Sequence, residues 1–424
     1  MRGRAAKLAA ATLVAAQLAI PAEAAPASNL RAPNLKPADL SSAEAGLWGW
    51  ADRAEAYLKT SADLDRDPAL ADYVRRVVCR VAREYCPELR VYVLDRPPMN
   101  ATAAPNGYLE VNSGLLLRAR TEDELAYVLG HEVSHFGRNH SLNSWRRQKT
   151  TANVMLALQV GVTLGAAAAM YSAASTSAPN ASQTIDSISQ TAQSLNNLIY
   201  LQGIASIFAY GREQETEADL LGQGRASAAG YDPTAGISIW SAVTAETQNS
   251  DFAKVRKSEA RASMFDTHPL TADRIAALKK HVGRAPGALD LDAARRYRAA
   301  VRPHLAGWLK DDLRRRDYGQ SLYVIERLET VGEDAGLLAF YRGEAYRLRR
   351  GDGDAVRARA AYELAITHPD APPTAWRELA ELRRKGGDKT GARAAFERYL
   401  LAAPAAEDRW LVEASLKSLL PEAP

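Results

Sequence analysis

His131, Glu132 and His135 stand in the order His-Glu-Val-Ser-His inside the stretch Thr121 to His140, a spacing suited to metal-assisted hydrolysis. If this stretch is helical, positions i and i+4 lie about 40° apart around the axis, so both imidazoles leave one face and can grip one ion. Glu132 sits beside them, placed to take a proton from a water rather than to bind the metal. Leu125, Val128, Leu129 and Val133 trace an apolar stripe on the same stretch, which would bury the helix and oblige its ionisable groups to find partners. The plainer reading, two satisfied helix histidines and a solvated glutamate, starts weak. Composition alone generates this arrangement on the order of once in a hundred such chains.

Two histidines leave a catalytic zinc site incomplete, because such a site takes three protein ligands and keeps a fourth position for water. The run Gly211 to Leu221 reads Gly-Arg-Glu-Gln-Glu-Thr-Glu-Ala-Asp-Leu-Leu and puts Glu215 and Asp219 at i and i+4 of a second helix. One acid can ligate while the other orients an imidazole. A run this acidic is ordinarily a solvated helix face, and only its pairing with the two histidines reverses that preference. A His-His-Glu donor set suits zinc, one ion per chain. His140 does not supply a metzincin third histidine: Gly137 and His140 each fall one residue short of the required register, so His140 reads as a surface residue. No serine or cysteine stands in a recognisable nucleophilic setting.

The His131–His135 motif followed by Glu215-Thr-Glu-Ala-Asp219 resembles the gluzincin zinc metallopeptidase family that includes HtpX and the CAAX prenyl proteases, above all its periplasmic BepA-type members. The resemblance implies Glu215 as the third zinc ligand, Asp219 as the aspartate near the zinc histidines, and Gly230-Tyr231-Asp232-Pro233 as the turn that follows. Asn100-Ala101 and the segment holding Asn106, Gly107, Tyr108, Leu109, Glu110 and Val111 resemble the family's edge strand beside the cleft, which can pair with an extended peptide. Thr267 to Ile275 is similar to the His-Pro segment that closes over the metal. It implies His268 as a fourth ligand in a resting state and Arg274 as a cation facing the developing oxyanion. The alternative is that His268 and Arg274 merely cap and solvate a short helix.

The elements that must position these residues can be read coarsely. Residues 1–24 carry Arg2, Arg4 and Lys7, an apolar run from Leu8 to Ile20 and an Ala22-Glu23-Ala24 cleavage pattern, the marks of a secretory signal peptide and hence of a periplasmic protein. A linker, 25–39, precedes a metallopeptidase domain over 40–285. Gly283 to Asp292, with Pro286 and Gly287, is the expected joint. In 286–424 a shift of 34 residues lays Glu344 on Glu378, Leu348 on Leu382, Gly353 on Gly387 and Tyr362 on Phe396, the tetratricopeptide period. Such paired helices leave a groove for a partner. The expected fold class is α+β and mostly helical: a gluzincin domain with a small sheet, followed by an all-α tetratricopeptide solenoid.

Between Lys149 and Arg212 the only charge is Asp186, so 151–210 reads as lid helices or as a segment that touches the membrane. Cys79 and Cys86 are the two cysteines; a disulfide between them requires the helix before them to end ahead of Cys86, because seven helical residues span about 10 Å. A net charge of +4 over 424 residues gives no bias toward nucleic acid, and Arg314 to Arg316 are flanked by Asp311, Asp312 and Asp317. The expected function is a zinc endopeptidase of the cell envelope that degrades misfolded or misassembled outer-membrane and periplasmic proteins. Its expected partners are those substrates and, through the helical groove, the outer-membrane assembly machinery. The alternative is a periplasmic chaperone or assembly factor whose zinc site His268 keeps latent.

Overall fold

The computed structural model describes residues 30–34, 36, 43–147, 149–175, 180–192, 195, 210–257 and 272–419. The expected signal peptide and His268 lie outside them. The N-terminal part contains α1 (Ala43–Leu58), α2 (Pro68–Val81), β1 (Arg90–Leu94), β2 (Ala101–Ala103), β3 (Tyr108–Asn112), α3 (Ser113–Arg118), α4 (Glu122–Gly137), α5 (His140–Arg147), α6 (Lys149–Ala174), α7 (Arg212–Ala228), α8 (Ala235–Gln248), α9 (Ala253–Arg256) and α10 (Ala272–Val282). The remainder is helical: α11 (Leu291–Arg314), α12 (Tyr318–Glu329), α13 (Ala335–Arg349), α14 (Asp354–Ala365), α15 (Thr374–Lys385), α16 (Lys389–Ala402) and α17 (Arg409–Ser418). The chain is therefore mostly helical with one small sheet, as its sequence suggests.

The sheet has the order β1-β3-β2, with β1 parallel and β2 antiparallel to β3. β3 is thus the central strand, paired on one side from Arg90↔Tyr108 to Leu94↔Asn112 and on the other from Ala101↔Val111 to Ala103↔Leu109. This corrects the expectation that Tyr108 to Val111 form an edge strand. The outer side of β1 is met by the Leu64↔Leu94 bridge and the Asp65 N–H to Val93 carbonyl bond at 3.0 Å. Among the described strands, β2 is left as the open edge, and it packs beside α4.

α4 begins cleanly. The Thr121 hydroxyl accepts from the Glu124 N–H at 3.2 Å, the Glu124 carboxylate accepts from the Arg120 N–H at 2.8 Å, and Glu122, Asp123 and Glu124 place negative charge on the first turn, where the helix dipole favours it. From Glu124 to Gly137 every residue is buried. The apolar stripe seen in the sequence understates this, since α4 is enclosed on all sides rather than along one face.

α2 stops at Val81, and the chain turns through Ala82. Cys86 therefore returns toward Cys79, with Cα atoms 4.8 Å apart and a disulfide between them. The hydrophobic core runs from Leu70 and Val74 of α2 through Leu109 and Leu129 to Leu338, Tyr362 and Leu379, so it continues across the loop at the expected 285/286 boundary. On α6, Val160, Leu164 and Tyr171 are exposed. No helix among the described residues is long and apolar enough to cross a membrane.

Candidate metal centre

α4 and α7 cross at two glycines. A Cβ on Gly222 would lie 2.6 Å from the His131 backbone nitrogen, and one on Gly130 would lie 2.9 Å from the Gly222 carbonyl oxygen. Only at such a distance can Glu215, two turns earlier on α7, reach the face of α4 that carries His131 and His135. Gly222→Ala is accordingly expected to push the helices apart. The cost is about 1–3 kcal/mol of overpacking, together with a loss of zinc affinity that titration against a chromophoric chelator would read.

The Nε2 atoms of His131 and His135 lie 3.0 Å apart. Glu215 Oε2 lies 3.6 Å from His131 Nε2, and Glu215 Oε1 lies 3.5 Å from His135 Nε2. Ligands held at about 2.0–2.1 Å in a tetrahedron stand about 3.3 Å from one another, so the three donors fit one zinc-sized ion. They are the one His/Cys/Asp/Glu group among the described residues with metal-holding geometry. His131, Glu132, His135 and Glu215 are all buried. Glu132 follows His131 directly on α4, close enough that its charge acts on the Tyr210 hydroxyl.

Behind the donors stands a polar frame. Asp219 Oδ1 lies 3.0 Å from His131 Nδ1 and also accepts from the Tyr127 hydroxyl at 2.8 Å and the Trp240 indole N–H at 3.2 Å. Burial alone would raise the Asp219 carboxyl, but the Arg274 charge and hydrogen bonds outweigh it and hold it well below the usual carboxylate range. Asp219 therefore lies within hydrogen-bonding reach of the His131 ring.

Arg274 is placed otherwise than expected. Its Nε and one terminal nitrogen donate to the two Asp219 oxygens, each at 2.7 Å, and its other terminal nitrogen lies 2.8 Å from Glu215 Oε2. The guanidinium is buried and committed to the two acids, so it positions the ligand carboxylate instead of facing a developing oxyanion. For Arg274 the capping and solvating alternative does not hold either, because its side chain is buried; for His268 that alternative lies outside the described residues.

His140 is the largest departure from the sequence reading. It is buried, not on the surface, with Nδ1 2.9 Å from His135 Nδ1 and Nε2 3.0 Å from Glu217 Oε2. Arg138 pairs with the other Glu217 oxygen. The register argument assumed an unbroken helix through residue 140. In fact α4 ends at Gly137, Arg138 caps it, and Asn139 takes a left-handed φ of 54°, which swings His140 back beneath His135. Glycine and asparagine just past an apolar run are stop signals, and they were the clue available. Burial pushes the His140 imidazole down to about 4, the Glu217 contact offsetting only part of it. Tyr210 completes the wall, stacked on His135 at 4.0 Å with its hydroxyl 2.7 Å from the Ser141 oxygen.

The segment expected to receive a peptide is structural over most of its length. The Asn106 amide donates to Asp52 and Glu55 at 2.8 and 3.2 Å, Gly107 turns at φ 91°, and Leu109 and Val111 are core residues under β3. Tyr108 is buried likewise, and Glu110 pairs with Arg96. The open edge is β2, which begins beside Asn100.

The model of the family described as Peptidase family M48 matches residues 65–282, a span that contains every donor named above. A Vibrio cholerae protein whose name assigns it provisionally to the beta-barrel assembly-enhancing proteases is 28% identical over 241 residues, 56% of this chain and 44% of that protein. The mitochondrial metalloendopeptidase OMA1 of Schizosaccharomyces pombe is 27% identical over 216 residues, 50% of this chain and 53% of its own length. The beta-barrel assembly-enhancing protease of Yersinia pestis is 29% identical over 181 residues, 42% of this chain and 33% of that protein. The chain thus spans about half or less of the length of these curated relatives.

Proposed function

This chain belongs to peptidase family M48, and from that premise we propose that it is a zinc-dependent endopeptidase of the cell envelope. The observation that carries the reading is the meeting of His131, His135 and Glu215 from two distant helices with 3.0–3.6 Å between donors, next to a buried Glu132. Zinc held by these three residues would supply a Lewis acid that activates water and polarises the scissile carbonyl. Glu132 accepts the proton of the attacking water and delivers it to the leaving amine. Asp219 fixes the ring of His131, and Arg274 pairs with both Glu215 and Asp219 and holds Asp219 in its ionised form. The β2 edge offers main-chain N–H and C=O groups to an extended substrate, and a stretched backbone lying there passes beside α4.

The substrates in this reading are misfolded or misassembled envelope proteins, outer-membrane β-barrel proteins among them. The names of two relatives support that assignment, and the signal-peptide pattern of residues 1–24 supports a periplasmic site of action. The paired helices α13 to α16 are read as tetratricopeptide repeats on the strength of their 34-residue sequence shift; they would bind substrate or the assembly machinery. The purified chain is expected to cleave unfolded casein or a denatured β-barrel protein, to stop when dialysed against a zinc chelator and to recover on zinc addition. Cleavage that survives complete zinc removal would refute the proposal.

A further inference from the structure

We propose that His140 and Glu217 form a hydrogen-bonded relay that fixes the tautomer of His135 and so tightens the metal site. The inference rests on the zinc reading above and deepens it. If His135 offers its Nε2 lone pair to the ion, its proton must sit on Nδ1. An acceptor for that proton stands at His140 Nδ1, 2.9 Å away. A ring that accepts at Nδ1 while neutral carries its own proton on Nε2, and that atom lies 3.0 Å from Glu217 Oε2. Arg138 holds the other Glu217 oxygen. Every donor in the chain Glu217–His140–His135 then finds an acceptor in one way only, and the His135 lone pair is left pointing at the metal.

The two zinc histidines are thereby supported in different ways. His131 has Asp219 directly at its Nδ1, at 3.0 Å; at its Nδ1 His135 meets the imidazole of His140, which in turn meets Glu217. The partners differ in exposure too. Asp219 is buried, whereas the Glu217 side chain is 35% exposed, so the relay ends near solvent while the Asp219 contact is sealed. Glu217 also stands two residues from Glu215 on α7, so α7 supplies the third ligand, the partner of one histidine and the terminus of the other's relay. Both residues act through His135 and touch no substrate. They are positioning residues.

The test is zinc affinity, measured by chelator competition on the full-length protein, for wild type, His140→Ala and Glu217→Gln, with melting of each zinc-free protein as the folding control. Outer partners of metal ligands are worth about 10- to 100-fold in affinity. His140→Ala is expected to weaken zinc by about that factor. Glu217→Gln keeps the shape and removes only the charge at the end of the relay; it is expected to weaken zinc about 3- to 10-fold with the zinc-free melting temperature unchanged. A merely structural role for these residues would move the melting temperature and leave affinity alone. Zinc affinities within twofold of wild type in both variants overturn the relay while leaving the zinc site standing. A wild-type protein that binds no zinc overturns the site and the relay together.

Discussion

Replacing Glu132 by glutamine is expected to lower peptide cleavage about 100- to 10,000-fold while the protein still binds one zinc ion. The side chain keeps its shape, so the packing of α4, buried from Glu124 to Gly137, is preserved. What disappears is the carboxylate proposed above to take the proton of the attacking water. Glu132 is one residue from His131 but lies outside the donor set formed with His135 and Glu215, so metal content and turnover should separate. Steady-state cleavage of a quenched peptide, paired with zinc analysis of the same sample, reads both. Equal loss of zinc and activity would assign Glu132 to the metal instead.

The second large effect lies away from the chemistry, at Arg118. Its guanidinium is buried at the end of α3 and donates to Glu246 of α8 at 2.7 Å and to Asp312 of α11 at 2.8 Å. Arg315 also reaches Asp312 at 2.9 Å, and the Ser321 hydroxyl donates to it at 2.6 Å. The cluster therefore ties the sheet side of the peptidase half to the first helix of the C-terminal half. Arg118→Met would leave the buried Glu246 and Asp312 carboxylates with Arg315 as their remaining cation, and breaking a buried ion pair from one side costs about 3–5 kcal/mol. Urea denaturation should register this as a lower midpoint.

The same cluster has a pH signature. Burial would raise the Asp312 carboxyl, but Arg118 and Arg315 bring it down to about 2 from 3.8. A depressed carboxyl contributes stability that is present above its unfolded value and lost as pH falls through its folded value. In the wild type this contribution is thus expected to disappear between about pH 4 and pH 2. In Arg118→Met only Arg315 and Ser321 remain to oppose burial at Asp312, so this contribution is expected to be lost at a higher pH than in the wild type. A variant whose urea midpoint matches wild type would remove the cluster from the account.

The legible part of this site was local. His131, Glu132 and His135 are fixed by spacing within one helix, where four residues translate directly into one face, and Glu215 and Asp219 repeat the same geometry on α7. Which of those two acids joins the two imidazoles in one donor group needed the family likeness, because both stand on one face of α7. His140 was misread because a single left-handed residue, Asn139, cancels helical extrapolation. The strand segment at Tyr108 to Val111 was recognised as a strand, but its place between β1 and β2 depends on pairing partners 6 to 18 residues away, which periodicity does not encode. Arg274 was found by its motif, while its engagement with Glu215 and Asp219 is a contact across 55 to 59 residues of chain. The continuity of the core into α13 and α15 was hidden for the same reason: sequence shows where a loop falls, not whether packing crosses it.

X-ray absorption at the zinc edge of the zinc-loaded protein tests the central claim most directly. The arrangement of His131, His135 and Glu215 predicts two imidazole nitrogens and at least one carboxylate oxygen at about 2.0–2.2 Å. A protein that takes up no zinc, or whose bound zinc shows no imidazole scattering, would contradict it.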